Sequence, residues 1–196
     1  MIANNVLSFD IETIPEEVSD LTSVQKEEIQ KKLDRYLKNN PEEAVNKESI
    51  QNMLMATNPL FGRIVCIGIT YLTADGVRDV GLVGEEKDIL ASWWNEISHY
   101  NGTYVSFNGL EFDAPYIITR SLKYGIAPTN KNFCSLQRFQ RYPHYDVMQW
   151  SCNWDRWRSS SLKNLCDFLS IPSPKEGEVA AENVYQAFKD GQIDQI

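Results

Sequence analysis

The sequence predicts an α/β fold built on a single mixed sheet, and three observations predict it. The chain has 196 residues, of which 42% are hydrophobic and 11% aromatic, enough to bury the core of one domain. Three segments with strand character read as an antiparallel run, two of them joined at a hairpin signal. Helices and strands then alternate, the order of a layered sheet with helices packed on it. No internal repeat or low-complexity segment interrupts this order.

The first strand is read at residues 5–11, in the apolar run of "VLSFDIETIP". The block 16–58 then changes character. "VQKEEIQKKLDRYLKNN" places Val24, Ile29, Leu33 and Leu37 on one helical stripe and carries several i,i+4 Glu/Lys pairs. Asn39-Asn40-Pro41 stops that helix, and "EEAVNKESIQNMLM" reads as a second. The block is too short for a core of its own. It is expected to be an insertion between two strands, most simply covering a sheet edge, with strand guidance or a dimer contact as alternatives.

"GRIVCIGITYL" and "VGLVG" read as strands joined through Asp75-Gly76, a good hairpin turn. "EEKDILASWWNEI" is an amphipathic helix with acidic residues in its first turn, as the helix dipole favours. "GTYVSFNG" is a further strand. "DAPYIITRSLKYG" is a helix with proline in its first turn and Gly125 near its end. "YDVMQW" reads as a short strand, "SSSLKNLCDFL" as a helix capped by serine, and "EVAAENVYQAFKDG" as another helix.

The net charge of −8 argues against a protein that coats nucleic acid electrostatically. Its distribution is uneven. Residues 114–163 hold eight basic and two acidic residues, so this stretch is +6 and the remainder −14. Nine aromatic residues interleave with those charges, a composition that suits a strand of nucleic acid. It equally suits a solvated loop region whose rings pack inward. The four cysteines form no C-x-x-C pair and read as free thiols in a reducing compartment. No signal pattern is seen near "MIANN", and no apolar stretch approaches the ~20 residues of a membrane span. A cytoplasmic protein is expected.

The chemistry is concentrated in a few carboxylates. Asp10 and Glu12 lie two apart on a strand and so share one face. Two oxygen donors there suit a hard divalent cation. Asp113 opens a helix after "SFNGLEF", where N-capping alone would explain it. Taken together, D-x-E at the end of the first strand and F-N-G-x-x-F-D further on resemble motifs one and two of the DEDD superfamily of 3′–5′ exonucleases. Within it, "PLFGRIVCIGI", "FNGLEFDAPYI", "YDVMQW" and "SLKNLCDFLSIP" resemble, in their order, the predicted exonucleases related to the proofreading domain of family B DNA polymerases. The likeness runs over most of residues 1–196, read as one exonuclease-like domain.

That resemblance implies a ribonuclease H-like fold and a phosphodiesterase using two Mg²⁺ or Mn²⁺ ions ~4 Å apart. It implies that Asp10 binds both ions, Glu12 the ion holding the attacking water, and Asp113 the other. Asn108 and Phe112 would sit near the terminal nucleotide, and Ile11, Thr13 and Ile14 would line the pocket for the 3′ end. The expected substrate is the 3′ end of single-stranded or frayed DNA, ahead of RNA. The family also needs a fourth carboxylate in a late Y-x-x-x-D or H-x-x-x-D motif. Here Tyr185 is followed four residues on by Lys189, and Asp190 and Asp194 lack the partner. The expectation is that the C-terminal helix bearing this motif is missing by truncation, leaving weak Mn²⁺ binding and little nuclease activity. The alternative is an inactive ribonuclease H-like module that binds nucleic acid or protein. Asp146 is read as structural or as supporting the ligands from behind, not as one of the four. Oligomeric state is not legible.

Overall fold

The computed structural model describes residues 5–74, 76–173 and 184–190. Five strands form one sheet: β1 (Val6–Pro15), β2 (Gly62–Thr73), β3 (Gly76–Val83), β4 (Thr103–Ser106) and β5 (His144–Asp146). Their order is β3-β2-β1-β4-β5. The pairs β1/β2 and β2/β3 are antiparallel, whereas β1/β4 and β4/β5 are parallel. The helices are α1 (Ser23–Asn39), α2 (Lys47–Ala56), α3 (Glu86–Glu96), α4 (Asp113–Lys123), α5 (Val147–Ser151), α6 (Leu162–Leu169) and α7 (Val184–Lys189). Among the described residues, no helix is long and apolar enough to cross a membrane.

The odd residues of β1, Leu7, Phe9 and Ile11, enter the main core with Ile67 and Ile69 of β2. This face is covered by Trp93 and Trp94 of α3 and by Ala114, Tyr116 and Ile117 of α4. Rings fill its centre: Phe9 and Phe133 lie 5.4 Å apart, and His144 stacks on Tyr104 at 5.1 Å. Phe133 comes from the long loop after α4. Asn130 pins that loop by donating to the carbonyls of Ile97 and Tyr100.

Three expectations change. The segment "YDVMQW" is mostly helical, because Asp146 ends β5 and caps α5 by accepting from the Gln149 amide at 3.1 Å. "EEAVNKESIQNMLM" divides into a 3₁₀ turn at Pro41–Asn46 and the helix α2. The 16–58 block does not cover a sheet edge. The edges are β3 and β5, and α2 packs on the central strand β1. Its anchor is a small second cluster, Leu21, Ile29, Met55 and Phe61. The hairpin turn residue Asp75 lies outside the described residues, as do 174–183, the first part of the last expected helix.

A buried ion network holds this arrangement. Arg120 of α4 is almost fully buried and donates from Nε and Nη2 to the Glu86 carboxylate at 2.7 and 2.5 Å. Nη2 also reaches Glu16 beyond the end of β1 at 2.6 Å, and Nη1 donates to the Pro59 carbonyl at 3.0 Å. Glu86 in turn accepts from the Ile64 amide and the Tyr124 hydroxyl, each at 2.8 Å. Burial alone would push the guanidinium down, but Glu86 and Glu16 outweigh it and hold it firmly charged. Burial likewise opposes charge on Glu16, yet Lys123 and Arg120 bring its carboxyl below the usual range.

Arg120→Met is therefore expected to leave the buried Glu86 carboxylate without its cation, with Glu16 keeping only Lys123, and to cost about 3–5 kcal/mol, measured by urea unfolding at neutral pH. A loss under about 1 kcal/mol would show that the network does not carry the junction.

Candidate active site

The parallel pairing of β1 and β4 covers only Val6–Ser8 against Thr103–Val105. Past that point the strands part, and β1 runs on as a strand paired to β2 alone. Its free side is met by the N-terminus of α4. Asp113 is 2% exposed, and its Oδ1 accepts from the Ile11 amide at 3.0 Å. The N-cap position belongs to Phe112, which has no side-chain cap bond. Capping is thus not what places Asp113; its carboxyl is spent on β1.

The turn that delivers Asp113 is built by residues 106–112. Asn108 sits in the left-handed region at φ 66°, which asparagine tolerates better than most residues. Gly109 has no room for a side chain: a Cβ there would lie 2.5 Å from Cβ of Ser106 and 3.4 Å from Oδ2 of Asp113. Asp146, fully buried, accepts from the amides of Asn108 at 3.0 Å and Leu110 at 3.1 Å. The same carboxylate therefore caps α5 and fixes the Asn108 turn. The sequence alone reads Asp146 as structural or as supporting the ligands without naming its partners, because nothing local pairs residue 146 with residues 108 and 110.

Asp10, Ile11, Glu12, Thr13, Asn108, Phe112 and Asp113 all line one open groove of about 1100 Å³. Ile14, expected at the same pocket, does not. It lies on the Asp10/Glu12 face but is 1% exposed, packed with Val65, Tyr185 and Phe188. The aromatic side chains of α7 cover the end of the carboxylate row, so the third residue of that face is core, not pocket. Tyr185 itself also lines the groove. So do Tyr36, Glu43, Ser49, Asn52 and Met53 of the helical block. Only their order along the chain was visible in the sequence, and a groove wall formed across the sheet leaves no local signal.

The electrostatics fit a cation. Asp10 and Asp113 are within hydrogen-bonding reach of each other, and burial together with the Asp10 carboxylate pushes Asp113 up to about 8. Two carboxyls this close without a proton or a cation between them repel. Cys66, paired across from Glu12, is pushed up to about 11 by burial and then by Glu12 and Asp10, so it remains a thiol. Glu12 shares the groove, but among the described residues no three His, Cys, Asp or Glu side chains are gathered into a cluster that could hold an ion. The close pair is Asp10–Asp113.

Residues 57–196 match the family of predicted 3′–5′ exonucleases related to the exonuclease domain of PolB. The chain belongs to this family. The match begins after β1 and α2, so Asp10 and Glu12 lie outside it, while Asp113 lies within. A family B DNA polymerase from the hyperthermophilic archaeon Pyrobaculum calidifontis shares the fold, with a TM-score of 0.59 over 97% of this chain at 15% identity. The sheet order and flanking helices are those of a ribonuclease H-like domain. The chain spans 21% of that polymerase. No curated protein matches.

The raised Asp113 carries a stability cost. Unfolded, the side chain ionises near 3.8. Folded, it holds its proton up to about 8, so stability falls as pH rises across that window. Asp113→Asn removes the titration. The variant is expected to flatten this slope and to raise the melting temperature of the metal-free protein at pH above the window. Parallel wild-type and variant melting curves between acid and mildly alkaline pH would contradict it.

Proposed function

We propose that this chain is a 3′–5′ exonuclease that hydrolyses phosphodiester bonds at the 3′ end of single-stranded DNA, with two Mg²⁺ or Mn²⁺ ions as cofactors. The observation that carries the reading is the Asp113 carboxyl, buried against the Ile11 amide and facing Asp10 on the floor of an open groove. Asp10 and Asp113 would hold the cations, with Glu12 as the third donor. Bound there, divalent ions supply an activated water and charge stabilisation for the departing 3′ oxygen.

The residues of the chain do the rest. The Ile11 amide orients Asp113 by donating to Oδ1, leaving Oδ2 directed away from that bond. Asp146 fixes the Asn108–Leu110 backbone, so Asn108 and Phe112 stand at the groove in a set position to meet the last nucleotide. Thr13 hydrogen bonds to the Tyr116 hydroxyl, which in turn donates to the Ala56 carbonyl at 3.0 Å. This ties the helical wall to the floor. Nothing on these surfaces separates DNA from RNA; DNA is preferred on the family's relation to a DNA polymerase domain.

A second reading is favoured by one observation: no cluster of three candidate ligands is assembled among the described residues. In that reading the domain grips a nucleic-acid end without cutting it. The two part on one assay. A 5′-labelled single-stranded oligonucleotide with Mn²⁺ or Mg²⁺ is expected to shorten slowly from its 3′ end. Asp10→Ala is expected to lose at least about a hundredfold in rate while still binding the strand. Binding without shortening under either ion would leave the gripping module as the reading; Asp10→Ala digesting at the wild-type rate would remove the proposed site.

A further inference from the structure

The basic and aromatic stretch 114–163 divides in the fold. Phe133 and Tyr116 turn inward and are buried. Arg120 is buried as well, and the outermost feature of the stretch is the 3₁₀ turn Arg156–Arg158, where Trp157 is 98% exposed. The guanidinium groups on either side of it are 80% and 75% exposed.

This turn is tied to the groove. Glu111 accepts from Arg156 at 3.1 Å and also from Arg138. Glu111 sits between the groove-lining residues Asn108 and Phe112, and its own amide donates to the Asn108 carbonyl at 3.1 Å. Gln149, four residues after Tyr145 on α5, donates from Nε2 to the Asn108 side chain at 3.4 Å. Arg138 and Arg156 thus lie against the segment that presents Asn108 to the groove, while Arg158 pairs with Asp155 at 3.3 Å. The helical wall contributes the carboxylates of Glu43 and Glu48 instead, which repel phosphate.

Two further details mark the surface as built. Phe139 and Trp154 both adopt positive φ, 64° and 63°, which is unusual for bulky side chains, and their rings meet at 4.8 Å. The bonds of Arg138 and Arg156 to Glu111 are largely solvent-exposed, so they are weak and can be exchanged for phosphate. Each guanidinium has donors to spare.

We propose that Trp157, with Arg156, Arg158 and Arg138, forms a landing platform for single-stranded nucleic acid, holding the strand upstream of the nucleotide in the groove. A base stacks on the indole, and the guanidinium groups meet the adjoining phosphates. The inference rests on the exonuclease reading for the identity of the groove, but its test needs no hydrolysis.

The test is fluorescence anisotropy of dye-labelled oligothymidylate with the whole chain in EDTA, across a salt series. A long oligonucleotide is expected to bind the wild type. Trp157→Ala is expected to weaken that binding about tenfold and to weaken the binding of a dinucleotide far less. The double variant Arg156→Ala/Arg158→Ala is expected to lower the salt slope by about 0.7 per arginine removed. Because these side chains are exposed, the variants should melt with the wild type. Unchanged affinity and slope in both variants would overturn the platform, and so would failure of the wild type to bind the long strand. Failure of the exonuclease reading looks different: the strand binds through Trp157 but is never shortened under Mn²⁺ or Mg²⁺.

Discussion

Everything at the groove depends on the hydrogen bond between the Asp113 carboxylate and the Ile11 amide. A strand that outruns its neighbour leaves backbone donors without a ladder, and burying such a donor unpaired costs about 1–3 kcal/mol. Here β4 stops and β1 continues, and the gap is filled by a side chain from the next helix instead of by another strand. That choice is what brings a carboxyl of α4 against one of β1. The same helix is fastened again two turns on, where Arg120 bridges to Glu16 just past the end of β1. One helix is therefore held to one strand at two points, and the two carboxyls facing each other have little freedom to separate.

The cost of that closeness is visible in the charge. Burial and the neighbouring Asp10 keep Asp113 protonated well beyond the ordinary carboxylate range. A group held in this state destabilises the metal-free fold at higher pH, and a divalent cation bound in place of the proton would offset that penalty. The buried polar residues nearby share the work of holding the geometry. Asp146 satisfies three amides from two segments, and Gly109 is small because Ser106 leaves no space for a Cβ. The turn can be tight because both conditions are met at once.

Much of the sheet was legible in the sequence. The apolar run of β1, the strands at 62–73 and 76–83, and the helices α3, α4 and α6 follow from periodicity and turn chemistry. The same-face placement of Asp10 and Glu12 follows from the two-residue period of a strand. What was not legible is long-range. Ile14 continues the carboxylate face and looked like a pocket residue, but Tyr185 and Phe188 of α7 cover it. The helical block looked like an edge cover and instead packs on β1 to wall the groove. The aromatic-basic stretch divides in a way its order does not foretell: Phe133 goes into the core and Trp157 into solvent. Asp113 read equally well as a helix cap. Only the structure reveals that its bond runs to β1.

In the reading proposed above, Asp10 and Asp113 would form the seat of a divalent cation. The most direct measurement is calorimetric titration of the metal-free chain with Mn²⁺ at neutral pH, in buffers of different ionisation enthalpy. The account predicts Mn²⁺ binding with release of about one proton, as the ion displaces the proton on Asp113, and loss of both binding and proton release in Asp113→Asn. Mn²⁺ binding of equal strength in the wild type and in Asp113→Asn, with no proton released, would contradict it.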